Sequence, residues 1–180
     1  AKTAMTLALY LGCLRVGAIF LPMNTAYTAD EVAYILGDAE PAMAVFDPND
    51  GLDAPCPVFH LDASGQGSLS DALGAPDDEI IYRHEDDIAA ILYTSGTTGR
   101  PKGAMLSHGN LSSNARTLCE AWHFNKDDIL LHALPIFHAH GLFVAVNIAL
   151  MMGIKTIFLQ NFKAEEVLAH LNQATVYICL

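Results

Sequence analysis

Thr94-Ser95-Gly96-Thr97-Thr98-Gly99-Arg100-Pro101-Lys102-Gly103 is a run of hydroxyls, glycines and two cations without an acidic residue. Glycines let a backbone turn tightly and bring its N–H groups close to an anion. Thr94, Ser95, Thr97 and Thr98 add hydroxyl donors, and Arg100 and Lys102 add positive charge. Directly before the run stands Ile88-Ala89-Ala90-Ile91-Leu92-Tyr93, an apolar stretch that reads as a buried strand. A loop of this chemistry leaving a core strand suits a polyphosphate; a flexible Ser/Thr/Gly linker seldom emerges from such a strand. The spacing is not that of a Walker A loop. Counting from Gly96, Pro101 stands at the second glycine position, and no Ser or Thr directly follows Lys102.

A second group of residues with chemical potential is His138 and His140, after Pro135-Ile136-Phe137 and just before Gly141. They follow a predicted strand, and ligands of open α/β sheets gather beyond the carboxyl ends of strands. The two are too close for the i, i+4 zinc pattern of a helix, and no Glu or Cys shares the segment. Imidazoles that merely cap the next helix are the plainer alternative. His60, His84, His108, His123, His132 and His170 form no constellation, and each reads as solvated or packed. Trp122 and its apolar neighbours read as core.

Around these groups the pattern alternates between strands and helices. Helical composition covers 4–16, and Ala18 to Leu21 is a short strand candidate. Thr28 or Asp30 can cap a helix to about Leu36, and a strand runs from Ala42 to Phe46. The stretch from Asp47 to Asp87 is rich in Pro, Gly, Asp and Ser, with one strand candidate at Val58 to Leu61. Ser107 stands where it would cap a helix to about Phe124. A strand at 128–134, loop and helix at 137–152, a strand at 154–159, a helix at 164–172 and a strand at 175–180 complete the pattern. Short connections between alternating elements imply an α/β fold, a mostly parallel sheet with helices on both faces. No repeat and no internal domain boundary is visible, so residues 1–180 read as one unit.

The chain has 180 residues, 52% of them hydrophobic, enough for a substantial core. Its net charge of −11 argues against nucleic acid or an anionic membrane as partner. ATP is not excluded, because Arg100 and Lys102 lie in an acid-free stretch. The run Asp77, Asp78, Glu79, Glu85, Asp86, Asp87 reads as a solvated connection. Cys13, Cys56, Cys119 and Cys179 are scattered without metal-ligand spacing, as expected of reduced thiols in a cytoplasmic protein. The apolar segments near 4–21 and 142–154 are interrupted by Arg15 and Gly17, and by Asn147 and Gly153, so no membrane span or secretory signal is expected.

The decapeptide at 94–103 resembles the phosphate-binding signature of the acyl-adenylate-forming superfamily, the AMP-dependent synthetases and ligases. The resemblance runs from Gly12-Cys13-Leu14-Arg15-Val16-Gly17-Ala18 to the last residues. Leu134-Pro135-Ile136-Phe137-His138-Ala139-His140-Gly141-Leu142-Phe143 is most similar to malonyl-CoA synthetases. It implies that the chain is a partial amino-terminal adenylation domain, with the family's carboxy-terminal domain absent. It implies an enzyme that activates a small carboxylic acid, malonate first, as acyl-adenylate with ATP and Mg²⁺, and passes the acyl group to CoA. Thr94, Ser95, Gly96, Thr97, Thr98 and Gly99 would then enfold the β- and γ-phosphates. Lys102 and Thr97 are the catalytic candidates, and the Thr97 hydroxyl would help hold Mg²⁺. His138 would gate the acyl pocket and His140 would line it, offering a hydrogen bond to a second carboxylate.

The family's downstream Y-G-x-T-E and T-G-D segments are not in these residues, and Thr175-Val176-Tyr177-Ile178-Cys179-Leu180 departs from the expected Gly/Pro-containing sequence. The chain alone is therefore expected to be inactive and prone to aggregate through an open sheet edge. Alternatives are a non-enzymatic nucleotide-binding remnant, an aryl-CoA ligase or a peptide-synthetase adenylation domain.

Overall fold

The computed structural model describes residues 2–75, 77, 79–94 and 100–178. By internal contacts the chain divides into two units: 1–82 with 90–105, and 83–89 with 106–180.

In the first unit, α1 (Ala4–Val16) starts at Thr3, whose hydroxyl accepts the Thr6 N–H. It stops at Gly17, which takes the left-handed conformation that glycine adopts without steric cost. Tyr10 is the buried anchor of α1 and meets Phe20 edge-on, ring centroids 5.2 Å apart. The strand expected at Ala18 to Leu21 reduces to one parallel bridge, Phe20 to Ala90. Four residues with Pro22 directly after them have little room for a ladder.

Helix α2 (Ala29–Ala39) opens with a full capping box. The Thr28 hydroxyl accepts the Glu31 N–H, and the Glu31 carboxylate accepts the Thr28 N–H at 2.8 Å. The apolar side of α2 buries Val32, Ile35 and Leu36. Val32 and Leu36 pack with Ala44 and Phe46 in one core cluster. Those last two lie on β1 (Ala44–Phe46), which pairs in parallel with β2 (Val58–His60). One turn of helix, α3 (Ser68–Asp71), follows in a stretch where the composition suggested only loop.

β3 (Ile88–Thr94) matches the buried apolar run and pairs with β4 (Lys102–Ser107). β4 is a departure from the sequence reading, which has loop there. Its first four residues are exposed and show no alternation. Pairing to β3 makes it a strand, and Gly103 permits the close approach: a Cβ there would stand 2.9 Å from Ile91 Cγ2.

In the second unit, α4 (His108–Ala121) is capped at Ser107 as expected, with Asn110 returning the bond. β5 (Ile129–His132) lies between β6 (Lys155–Phe158) and β7 (Val176–Tyr177), all parallel, with Leu130 opposite both Thr156 and Val176. The crossover from β5 to β6 is a π-helix, His140–Val146, running into α5 (Asn147–Met152). The return to β7 uses α6 (Ala164–His170). Cys119, Phe124, Leu130, Ala145, Ile148, Ala149 and Ile154 form the core that holds these layers. Trp122 is not core: it is 48% exposed just after α4, with a tilted ring contact to Phe124. The α/β architecture of parallel strands joined through helices is the expected one, distributed over three short sheets among the described residues.

Candidate functional site

The first candidate group flanks the loop between β3 and β4. Thr94 ends β3 and Lys102 opens β4, both exposed, and Arg100 is exposed just before Lys102. Ser95, Gly96, Thr97, Thr98 and Gly99 lie outside the described residues. Each flank is tied to α2. The Tyr93 hydroxyl donates to Asp38 Oδ2 at 2.5 Å. Burial, then that bond and the Asp38 charge, push the phenol well above its ordinary pKa, so it stays a donor. On the other flank Tyr34 donates to the Pro101 carbonyl at 3.3 Å, and the Arg100 guanidinium carbon stands 5.7 Å from the Tyr34 ring centroid. The described flanks thus offer a hydroxyl and two cations to solvent, and Asp38, the carboxylate bonded to a flank, is engaged by a phenol. That donor set fits an anion.

The second group lies in the other unit. His138 is exposed in the turn after β5 and makes a tilted ring contact with Phe137, with centroids 4.5 Å apart. His140 is half-buried at the first position of the π-helix. The N-cap position of that helix is Ala139, which makes no side-chain cap. Gly141 is fixed by close packing: a Cβ there would lie 2.0 Å from the Pro135 carbonyl oxygen.

Below it is a residue the sequence reading assigned no role. His132 is 1% exposed at the end of β5, and its Nε2 is 2.9 Å from the Gly141 carbonyl oxygen. A carbonyl can only accept, so Nε2 carries the proton. Its ring also packs on Phe158 at 5.1 Å between centroids. His132 therefore fixes the base of the segment that displays His138 and His140. The available signal was a polar side chain closing the apolar run Ile129-Leu130-Leu131. For Tyr34 and Asp38 the signal was weaker still: the predicted helix ends at about Leu36, and only the observed α2, reaching Ala39, puts the two on one side of it.

Among the described residues, no helix is long and apolar enough to cross a membrane. Cys13, Cys56 and Cys119 are free thiols, and burial raises the pKa of Cys13 and Cys119.

Comparison with known proteins places this geometry in context. The profile of a family described as AMP-binding enzyme matches residues 2–179. The chain is similar to the malonate–CoA ligase of Arabidopsis thaliana, 31% identical over 87% of the chain and 28% of the relative. It is 28% identical to the medium-chain fatty-acid–CoA ligase of Escherichia coli over 92% of the chain and 33% of the relative. Among solved structures, ATP-bound MatB from Rhodopseudomonas palustris superposes with a TM-score of 0.90 at 46% identity, over 98% of this chain and 37% of that one. The chain thus spans about a third of the length of the relatives it matches. Family profile, sequence likeness and superposition agree with the phosphate-loop signature, and the chain belongs to the AMP-binding enzyme family.

Proposed function

We propose that these residues are the triphosphate-binding part of an amino-terminal adenylation domain in an AMP-forming acid–thiol ligase. Its substrate is a small dicarboxylic acid, malonate first, and its acceptor is the thiol of CoA. The observation that carries the proposal is the exposed Thr94, Arg100 and Lys102 set on the flanks of the 94–103 loop. The likeness to an ATP-bound structure over nearly the whole chain supports it.

In the first half-reaction a carboxylate oxygen bonds to the α-phosphorus, and the bridging bond to pyrophosphate breaks with its electron pair. Negative charge grows on the leaving pyrophosphate. Lys102 and Arg100 stabilise that charge, and Thr94, Ser95, Gly96, Thr97, Thr98 and Gly99 supply hydroxyl and backbone donors around it. The Thr97 hydroxyl would help hold Mg²⁺, which would supply neutralising positive charge to the phosphates. In the second half-reaction the thiol sulfur attacks the acyl carbon and AMP leaves. His140, half-buried at the head of the π-helix, is assigned the second carboxylate of the acid, and His138 the mouth of the acyl pocket. The free thiols fit a reducing compartment such as the cytoplasm.

The test is acid-dependent ATP–pyrophosphate exchange by the full-length protein, with malonate, acetate and a medium-chain acid as alternatives. Malonate is expected to be preferred, and His140→Ala to erase the preference. Equal use of all three acids would refute the dicarboxylate assignment. Exchange that survives Lys102→Ala and Thr97→Ala undiminished would refute the phosphate site. The 180-residue chain by itself is expected to give no exchange.

A further inference from the structure

Both flanks of the 94–103 loop are fastened to the same side of one helix, α2. Asp38 accepts from Tyr93, the residue before Thr94. Tyr34 donates to the carbonyl of Pro101, the residue before Lys102, and lies under the Arg100 guanidinium. Tyr34 and Asp38 are four residues apart, so their anchor points are separated by about 6 Å along the helix axis. The helix is in turn held at its start by the Thr28–Glu31 capping box and on its other side by Val32, Ile35 and Leu36. It is a rigid bar with two fasteners facing the loop.

We propose that Tyr34 and Asp38 are positioning residues for triphosphate binding, acting through the ends of the loop without touching the nucleotide. The proposal rests on the reading of 94–103 as the phosphate loop. The physical basis is preorganisation. A loop whose two feet are held at a fixed spacing has less conformational freedom to lose when its donors converge on an anion. The Asp38–Tyr93 bond also uses the carboxylate tied to the β3 flank as an acceptor for a phenol. Lys102 and Arg100 are exposed on the other flank. Arg100 is held by a ring face, an attraction that keeps its full charge available.

The experiment uses the full-length protein and six variants: Asp38→Ala, Asp38→Asn, Tyr93→Phe, the double variant Asp38→Ala/Tyr93→Phe, Tyr34→Phe and Tyr34→Ala. ATP affinity is measured by calorimetry, exchange kinetics give KM for ATP and for malonate, and urea denaturation gives stability. Loss of the bond in Asp38→Ala or Tyr93→Phe is expected to weaken ATP roughly five- to tenfold. The malonate KM should stay within about twofold. The double variant should be no worse than either single one, because both remove the same bond. Asp38→Asn keeps an acceptor and should restore most of the ATP affinity. Tyr34→Phe keeps the ring beneath Arg100 and should cost less than Tyr34→Ala. If Asp38→Ala lowers stability but leaves ATP affinity unchanged, the residues are structural only and the proposal fails. If it weakens ATP and malonate equally, the proposal also fails. Wild-type protein that binds ATP but shows no malonate-driven exchange would instead sink the substrate assignment, while the calorimetric comparison still decides the role of α2. Wild-type protein that does not bind ATP overturns both.

Discussion

Gly141→Ala is the substitution with the sharpest expected consequence. The added Cβ would stand 2.0 Å from the Pro135 carbonyl oxygen, 2.8 Å from its carbon and 3.2 Å from Leu134 Cβ. Cβ atoms do not approach heavy atoms closer than 3.0 Å, so the π-helix must recede from the 134–135 segment by about 1 Å. The neighbours that must give are backbone, which bends less readily than a side chain. A shift of that size directed away from His132 would stretch the 2.9 Å contact between the Gly141 carbonyl and Nε2 to about 3.9 Å, beyond a hydrogen bond. Overpacking costs about 1–3 kcal/mol, and leaving a buried donor without its acceptor costs about 1–3 kcal/mol. The sum is about 2–6 kcal/mol, a large share of the ~5–15 kcal/mol that stabilises a typical domain. Urea denaturation followed by circular dichroism measures it. Gly12→Ala is the internal control: nothing lies within 4 Å of the Cβ site, and the position is inside α1. It should be neutral or stabilise by about 0.5–1 kcal/mol. A Gly141→Ala protein within about 0.5 kcal/mol of wild type would show that the packing at the head of the π-helix is not as tight as described.

Ser107→Ala removes the hydroxyl that caps α4 and should cost about 1 kcal/mol, read as a lower urea midpoint. Glu40→Gly should stabilise by up to about 1 kcal/mol, because Glu40 ends α2 at φ 45°, where a side chain is strained; an unchanged midpoint would contradict that. Asp128 accepts from the Asn125 N–H and the Thr175 hydroxyl, and these bonds hold its pKa below the ordinary carboxylate value. A depressed folded pKa means that its contribution is complete above the unfolded pKa and is lost as pH falls through the folded one. Thr175→Val should therefore raise the Asp128 pKa, followed by carboxyl NMR, and narrow the stability difference from wild type as the solution is acidified. Glu31 behaves in the same sense, its pKa lowered by the Thr28 N–H first and the Thr28 hydroxyl second. Thr28→Ala should bring it back toward the ordinary carboxylate value.

What the sequence made legible were features decided locally. α1 covers the stretch of helical composition, 4–16, and Ser107 starts α4 as a cap should. The run 88–93 is apolar enough to be a core strand in any context, and it is one. What stayed hidden were features that depend on a distant partner. β4 has no apolar alternation of its own and exists because β3 lies alongside it. The ties from Tyr34 and Asp38 span 67 and 55 residues, a separation that no periodicity encodes. The family was readable because the chemistry of the 94–103 loop is concentrated in ten adjacent positions. The supports of that loop and the seat of the histidine segment on His132 were not readable, because they are long-range contacts.

The π-helix at 140–146 carries its own implication. An α-helix turns about 100° per residue, whereas a π-helix accommodates an extra residue in the same span. Deleting one residue between His140 and α5 would let the segment wind down to ordinary α geometry and swing the imidazole roughly a quarter turn around the axis. Chain length in this stretch is thus a lever on which way the histidine looks, separate from any exchange of side chains.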